Sequence, residues 1–118
     1  MKLNKTHYVH FSNDFDNKTG IITVAIKLTG TKDYKNNFRV GFHFTPPNTK
    51  FTPKHANTHA LSEIMMNSNL CTTMLGRDMN EEILHTARLA WILTGKFIPN
   101  IPDWAIKLNL NDNACIID

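Results

Sequence analysis

The stretch IITVAIKLTGTKDYKNNFRVGFHFT, residues 21–45, decides the fold. Within 21–29, Ile22, Val24, Ile26 and Leu28 fall on one side and Thr23, Ala25 and Lys27 on the other. Within 38–45, Phe38, Val40, Phe42 and Phe44 alternate with Arg39, Gly41, His43 and Thr45. A repeat of two residues puts successive side chains on opposite faces of a pleated strand, and β-branched and aromatic residues favour that backbone. The polar GTKDYKNN between the runs, residues 30–37, reads as a turn. Upstream, KTHYVHFS at 5–12 alternates in the same way, and NDFDNKTG at 13–20 supplies a hairpin loop ending at Gly20. Strands joined in this order by short polar turns predict an antiparallel meander with one greasy and one mixed face. The greasy face must be covered.

Two helices are expected to cover it. Thr52 and Pro53 make a start signal, an N-cap hydroxyl followed by proline at the first helical position. Ala56, Ala60, Leu61, Ile64 and Met65 then recur at helical spacing to about residue 67, where NSN closes the run. A second helix is predicted from Asp78 or Asn80, with Glu81 and Glu82 in its first turn. Its buried stripe is Ile83, Leu84, Ala87, Ala90, Trp91 and Thr94, and Gly95 is its expected cap. After Pro99 and Pro102, the alternation of Trp104, Ile106, Leu108 and Leu110 predicts a last strand. The expectation is a single α+β domain over 1–118, an antiparallel sheet of three to four strands covered by two helices. The tail 111–118 is expected to be loose or docked on another subunit.

Composition bounds the function. A chain of 118 residues with 42% hydrophobic and 19% charged residues holds one core, not two. The net charge of +3 is scattered, with arginine only at positions 39, 77 and 88, which argues against sequence-specific reading of duplex DNA. Cys71 and Cys115 lie far apart without metal-type spacing, and no apolar run follows the basic residues at the start. With no stretch near the roughly 18 apolar residues of a membrane helix, the expected setting is the cytoplasm, with no membrane partner. The wealth of Asn, Lys and Ile with little Arg suggests AT-rich coding, as in a low-GC bacterium or its phage.

Catalytic and metal chemistries find little support. His55 and His59 stand at i, i+4, as a zinc pair requires, but Ala56 stands where a metalloprotease carries its glutamate. A third ligand such as His85 would be needed, so the pair is read as a polar helix face. There is no nucleophile elbow, no glycine-rich phosphate loop, and no paired carboxylates beyond helix-start glutamates. The expectation is a protein that is not an enzyme, with no cofactor, no metal and no catalytic residue.

A binding site is easier to place. The first helix opens with Lys50-Phe51-Thr52-Pro53-Lys54-His55, so cations, a hydroxyl and an aromatic ring surround a helix N-terminus. Amide N–H groups and the helix dipole attract anions there, and an aromatic ring can stack a base. Phe51 is expected to stack, Lys54 and Asn57 to hold phosphate, and Arg88 to assist from the second helix. Lys27 and Arg39 join them if the polar sheet face lines the pocket.

The segment FRVGFHFTPPNTKFTPKHANTHAL, residues 38–61, resembles small phage proteins in which a strand runs into a Thr-Pro turn, a Phe and a basic helix start. The family is that of the Thoeris anti-defence sponges, which sequester cyclic ADP-ribose-type immune signals and in some cases cyclic oligonucleotides. Such proteins carry arginines in the first helical turns, where this chain has Pro53, His55 and Asn57; only Phe51 and Lys54 keep the expected character. The resemblance implies a homo-oligomer in the host cytoplasm that binds a small anionic nucleotide without turnover. Two other readings stay open: an anti-CRISPR-like inhibitor that binds a host protein, and a weak binder of single-stranded nucleic acid.

Overall fold

The computed structural model describes residues 6–13, 16–28, 37–75, 83–108 and 114–116. Three strands form the expected meander: β1 (Thr6–Phe11), β2 (Ile21–Leu28) and β3 (Asn37–Thr45). They pair antiparallel in a register that sets His10 opposite Thr23 and Thr23 opposite His43. Helix α1 (Pro53–Met65) follows, then β4 (Cys71–Leu75), α2 (Ile83–Leu93), a 3-10 turn at Gly95–Phe97, α3 (Asp103–Lys107) and β5 (Ala114–Ile116). The five strands make one sheet in the order β4–β3–β2–β1–β5, antiparallel at every pairing. The architecture is α+β.

The two long helices lie on opposite faces of the sheet. Val9, Phe11, Val24, Phe38, Val40 and Phe42 pack with Ala87, Ala90 and Trp91 of α2, and Ala105 and Leu108 extend the same core. Trp91 meets Phe42 edge to face at 5.8 Å, a contact that adds to the apolar burial. Helix α1 instead covers the mixed face, with Ala60 and Ile64 against Ala25, Tyr8 and Cys71. The expectation that α1 would cover the greasy face is therefore corrected. Its buried stripe is only Ala56, Ala60 and Ile64, too slight for the phenylalanine-rich side but matched to Ala25 and Gly41. A Cβ on Gly41 would lie 2.2 Å from the Ala60 carbonyl oxygen, so the helix backbone rests directly on β3.

Two further expectations change. The alternation after Pro102 lies in α3, not in a strand. Trp104 and Leu108 are four residues apart, a spacing that serves one face of a helix as well as one face of a strand. Pro102 and Asp103 supply the helix start, Ala105 and Leu108 are buried, and Ile106 is exposed. Leu110 lies outside the described residues. At the tail, Ala114–Ile116 pair with Phe11, His10 and Val9 of β1, so this part of 111–118 completes the chain's own sheet. The expected first turn of the second helix, Asp78 to Glu82, lies outside the described residues. Strand β4 had no distinct signal beyond Thr72 and Thr73.

Candidate functional site

The candidate site lies where α1 begins, over the end of β3. Helix α1 runs back along β3: His59 stacks on His43, the Ala60 carbonyl presses on Gly41, and Asn67 beyond the helix end meets Arg39. The first turn thus overhangs His43 and Thr45. A cleft of about 180 Å³ forms there, bordered by His43, Lys50, Thr52, His55 and His59, with Ala56 at its base. Thr52 is the N-cap but makes no side-chain capping bond, and the first turn holds no acidic residue. The positive end of the helix therefore faces the cleft without a carboxylate to offset it.

Three imidazoles join Thr45, Lys50 and Thr52 in its polar lining. The rings of His43 and His59 are stacked, with centroids 4.8 Å apart and planes 13° from parallel, and His55 meets His59 edge-on at 6.2 Å. Burial pushes the His43 pKa below the ordinary value, the neighbouring His59 pushes it the same way, and Glu63 opposes both. Stacked parallel rings do not aim their nitrogens at one point. Among the described residues no group of three or more His, Cys, Asp or Glu side chains is disposed to hold a metal ion. His85, the third ligand that a zinc site would have needed, is exposed on α2, on the other side of the sheet.

Behind the cleft the same sheet row continues to His10, which is fully buried. Its Nδ1 lies 2.8 Å from Thr23 Oγ1, and Phe51 packs edge-on against its ring at 5.1 Å. Burial lowers its pKa from 6.5 to about 4; a hydrogen bond with Asn57 opposes the shift and His43 adds to it. His10 is thus a neutral polar element beneath α1, tying helix to sheet.

The loop after β3 forms the outer wall. Asn17, 1% exposed and in the left-handed conformation at φ 61°, reaches across from the hairpin loop. Its Nδ2 donates to the Pro46 and Thr49 carbonyl oxygens at 2.8 and 2.7 Å, and its own carbonyl accepts from Asn48 N–H at 2.7 Å. Asn17→Ala should cost about 2–3 kcal/mol in urea unfolding, from lost hydrogen bonds and the strain of a Cβ residue at positive φ. Asn17→Gly loses the amide without that strain and should fall about 1 kcal/mol short of the alanine variant. Equal losses would mean that the backbone conformation contributes nothing.

No family model matches the chain, and no match was found among curated proteins or solved structures. Among the described residues no helix is long and apolar enough to cross a membrane.

The six expected ligand residues fall in separate places. Lys54 is exposed on the first turn of α1 beside the cleft, outside its lining. Phe51 is half-buried against His10, and Asn57 turns toward the same ring, so both support the helix from beneath. Lys27 and Arg39 do lie on the α1 face, but at the far end of the helix. Lys27 Nζ is 3.5 Å from Met65 Sδ, and Arg39 Nη2 donates to Asn67 Oδ1 at 2.6 Å and to Cys71 Sγ at 3.0 Å. From His59, the last helical residue on the cleft, to Met65 the helix runs six residues further, about 9 Å. Arg88 is on α2, across the sheet. The cation that does line the cleft is Lys50, joined by His43 and His59. The shared face of His43 and Gly41 was the sequence signal for this, since a glycine in mid-strand marks a close backbone approach.

Proposed function

We propose that this protein binds and sequesters a small anionic nucleotide without turning it over, holding a phosphate in the cleft at the start of α1. The observation that carries the reading is the cleft's own chemistry. Lys50, the Thr52 hydroxyl, the uncompensated helix end and three imidazoles converge on one small volume, and no acidic residue among the described ones lines it. Each of these groups favours negative charge or donates hydrogen bonds to it. The volume, about 180 Å³, is below the ~300–1,000 Å³ of pockets that take a whole ligand. One phosphate-bearing end therefore enters, and the rest extends outward. The likeness to phage sponges extends the proposal to a cyclic ADP-ribose-like or cyclic oligonucleotide immune signal. It further implies a homo-oligomer, whose second subunit would supply the outer contacts, in the cytoplasm of an infected cell.

Calorimetry at micromolar protein against cyclic ADP-ribose isomers and cyclic oligonucleotides tests this. At least one should bind, and Lys50→Ala combined with His59→Ala should weaken it by roughly tenfold or more, the scale of charge-assisted contacts. Arg88→Ala, across the sheet, should leave affinity unchanged. Absence of heat from every member of the panel ends the proposal.

A second reading rests on different residues. Ile92, Leu93 and Phe97 are exposed around the end of α2, Phe97 by 72%, and such apolar surface suits a protein partner. An inhibitor working by occlusion would capture one host protein, and Phe97→Asp would abolish capture while Lys50→Ala would not.

A further inference from the structure

A second cavity, about 340 Å³, lies against α3 and shares no lining residue with the α1 cleft. Pro46 and Lys50 border the first cleft and Pro47 the second, so the loop held by Asn17 borders both. The apolar lining is Trp104, Leu108 and Pro47; Lys18 comes from the hairpin loop and Lys107 from the end of α3. Among the described residues no carboxylate lines it.

Trp104 is held in place. Gly20, at φ 98°, lies against the indole so closely that a Cβ would come within 2.3 Å of its Cε3. Phe44 meets the same ring edge-on at 6.1 Å and 81°. The Ser12 hydroxyl donates to the Gly20 carbonyl at 3.0 Å and steadies the glycine in turn. The indole is half-buried and lines the cavity as a fixed platform. A flat ring stacks on such a surface without the entropy cost of ordering it first.

We infer that this cavity is a second binding site, for a flat aromatic anion the size of a nucleoside monophosphate. The ring lies on Trp104, and the charged group is held by Lys18 and Lys107. The cavity's volume falls within the ~300–1,000 Å³ of whole-ligand pockets, and two cations, with no opposing carboxylate among the described lining residues, set the charge of the occupant. This site is independent of the α1 cleft and of the function proposed for it.

Calorimetry with adenosine monophosphate as the probe decides the matter. Adenosine monophosphate should bind, with adenosine and inorganic phosphate each weaker by roughly tenfold or more, because each keeps only one half of the recognition. The double variant Lys18→Glu with Lys107→Glu should weaken the nucleotide by about tenfold or more. Both side chains are exposed, so the thermal midpoint should stay put. Lys50→Ala should leave the affinity within about twofold. The inference falls if adenosine monophosphate fails to bind at millimolar concentration, or if the charge reversals leave its affinity unchanged. It falls equally if Lys50→Ala weakens binding as much as they do, since the nucleotide would then occupy the α1 cleft.

Discussion

Gly41→Val is expected to unseat α1 and to cost more than about 3 kcal/mol of stability, beyond the usual range for overpacking a core. Position 41 faces the underside of the helix, where an added Cβ would meet the Ala60 carbonyl oxygen at 2.2 Å and Ile64 Cγ1 at 2.8 Å. The nearer of these is backbone. A side chain can rotate away, but a helical carbonyl moves only with its helix, so α1 must lift from β3 along its length. Ala25 lies beside Gly41 in the register, and Ala60 sits over both. All three residues are small because two backbones meet there. The cleft goes with the helix, since its walls are β3 on one side and α1 on the other. Urea unfolding of Gly41→Val should show the loss, and adding Ile64→Ala should not restore it, because the carbonyl clash remains. A variant within about 1 kcal/mol of the parent would mean that helix and strand are not so close.

Acidification should destabilise the fold well above the pH at which carboxylates titrate. His10 is buried in the neutral form, and its pKa falls from 6.5 to about 4. The unfolded chain therefore binds a proton between these values that the folded chain refuses. The stabilisation is fully present above pH 6.5 and is lost as pH falls toward 4, at most about 3 kcal/mol for this group. Between pH 7.5 and 5, about 2 kcal/mol of it should disappear. His43, whose pKa is lowered by burial and by His59 against the pull of Glu63, adds in the same direction. Urea midpoints across that range should fall for the parent and fall less for His10→Gln, which keeps a polar group near Thr23 without the titration. A flat profile for the parent would show that His10 takes up its proton in the folded state and is not held neutral beneath α1.

The two effects concern one face of the sheet, and it was the face least legible in sequence. Alternation along β2 and β3 displayed a greasy side and a mixed side, and the mixed side offered Lys27 and Arg39 to a ligand only if that face lined the pocket. A row such as His10, Thr23 and His43 looks like a solvated strand face when each residue is taken alone. Its inner end is buried because Asn57 of α1 and Phe51, just before the helix, descend on His10, contacts made across more than forty residues of chain. Glycine at 41 and alanine at 25 hinted at a covering helix, but such small residues do not say which helix.

The site was legible in part for the same reason. The start of α1 and its basic surroundings could be read from Thr52, Pro53 and the neighbouring cations, and a cleft does border that first turn. Which cations enter it could not. Lys50, in the loop before α1, lines the cleft; Lys54 does not, because Ala56, Ala60 and Ile64 set how the helix is rotated against the sheet. Arg88 appeared three residues from His85 and Trp91 on a helix expected beside α1, yet that helix lies across the sheet.

Local pattern by itself determined the three-strand meander, the start of α1, the turn at Gly20 and the α+β class, because each follows from side-chain period and backbone preference within a few residues. Tertiary structure alone decided that the helices take opposite faces, that Trp104 stands on a short helix, and that the tail pairs with β1. These depend on which surfaces match in size and on pairings between residues distant in the chain. Periodicity carries no record of either.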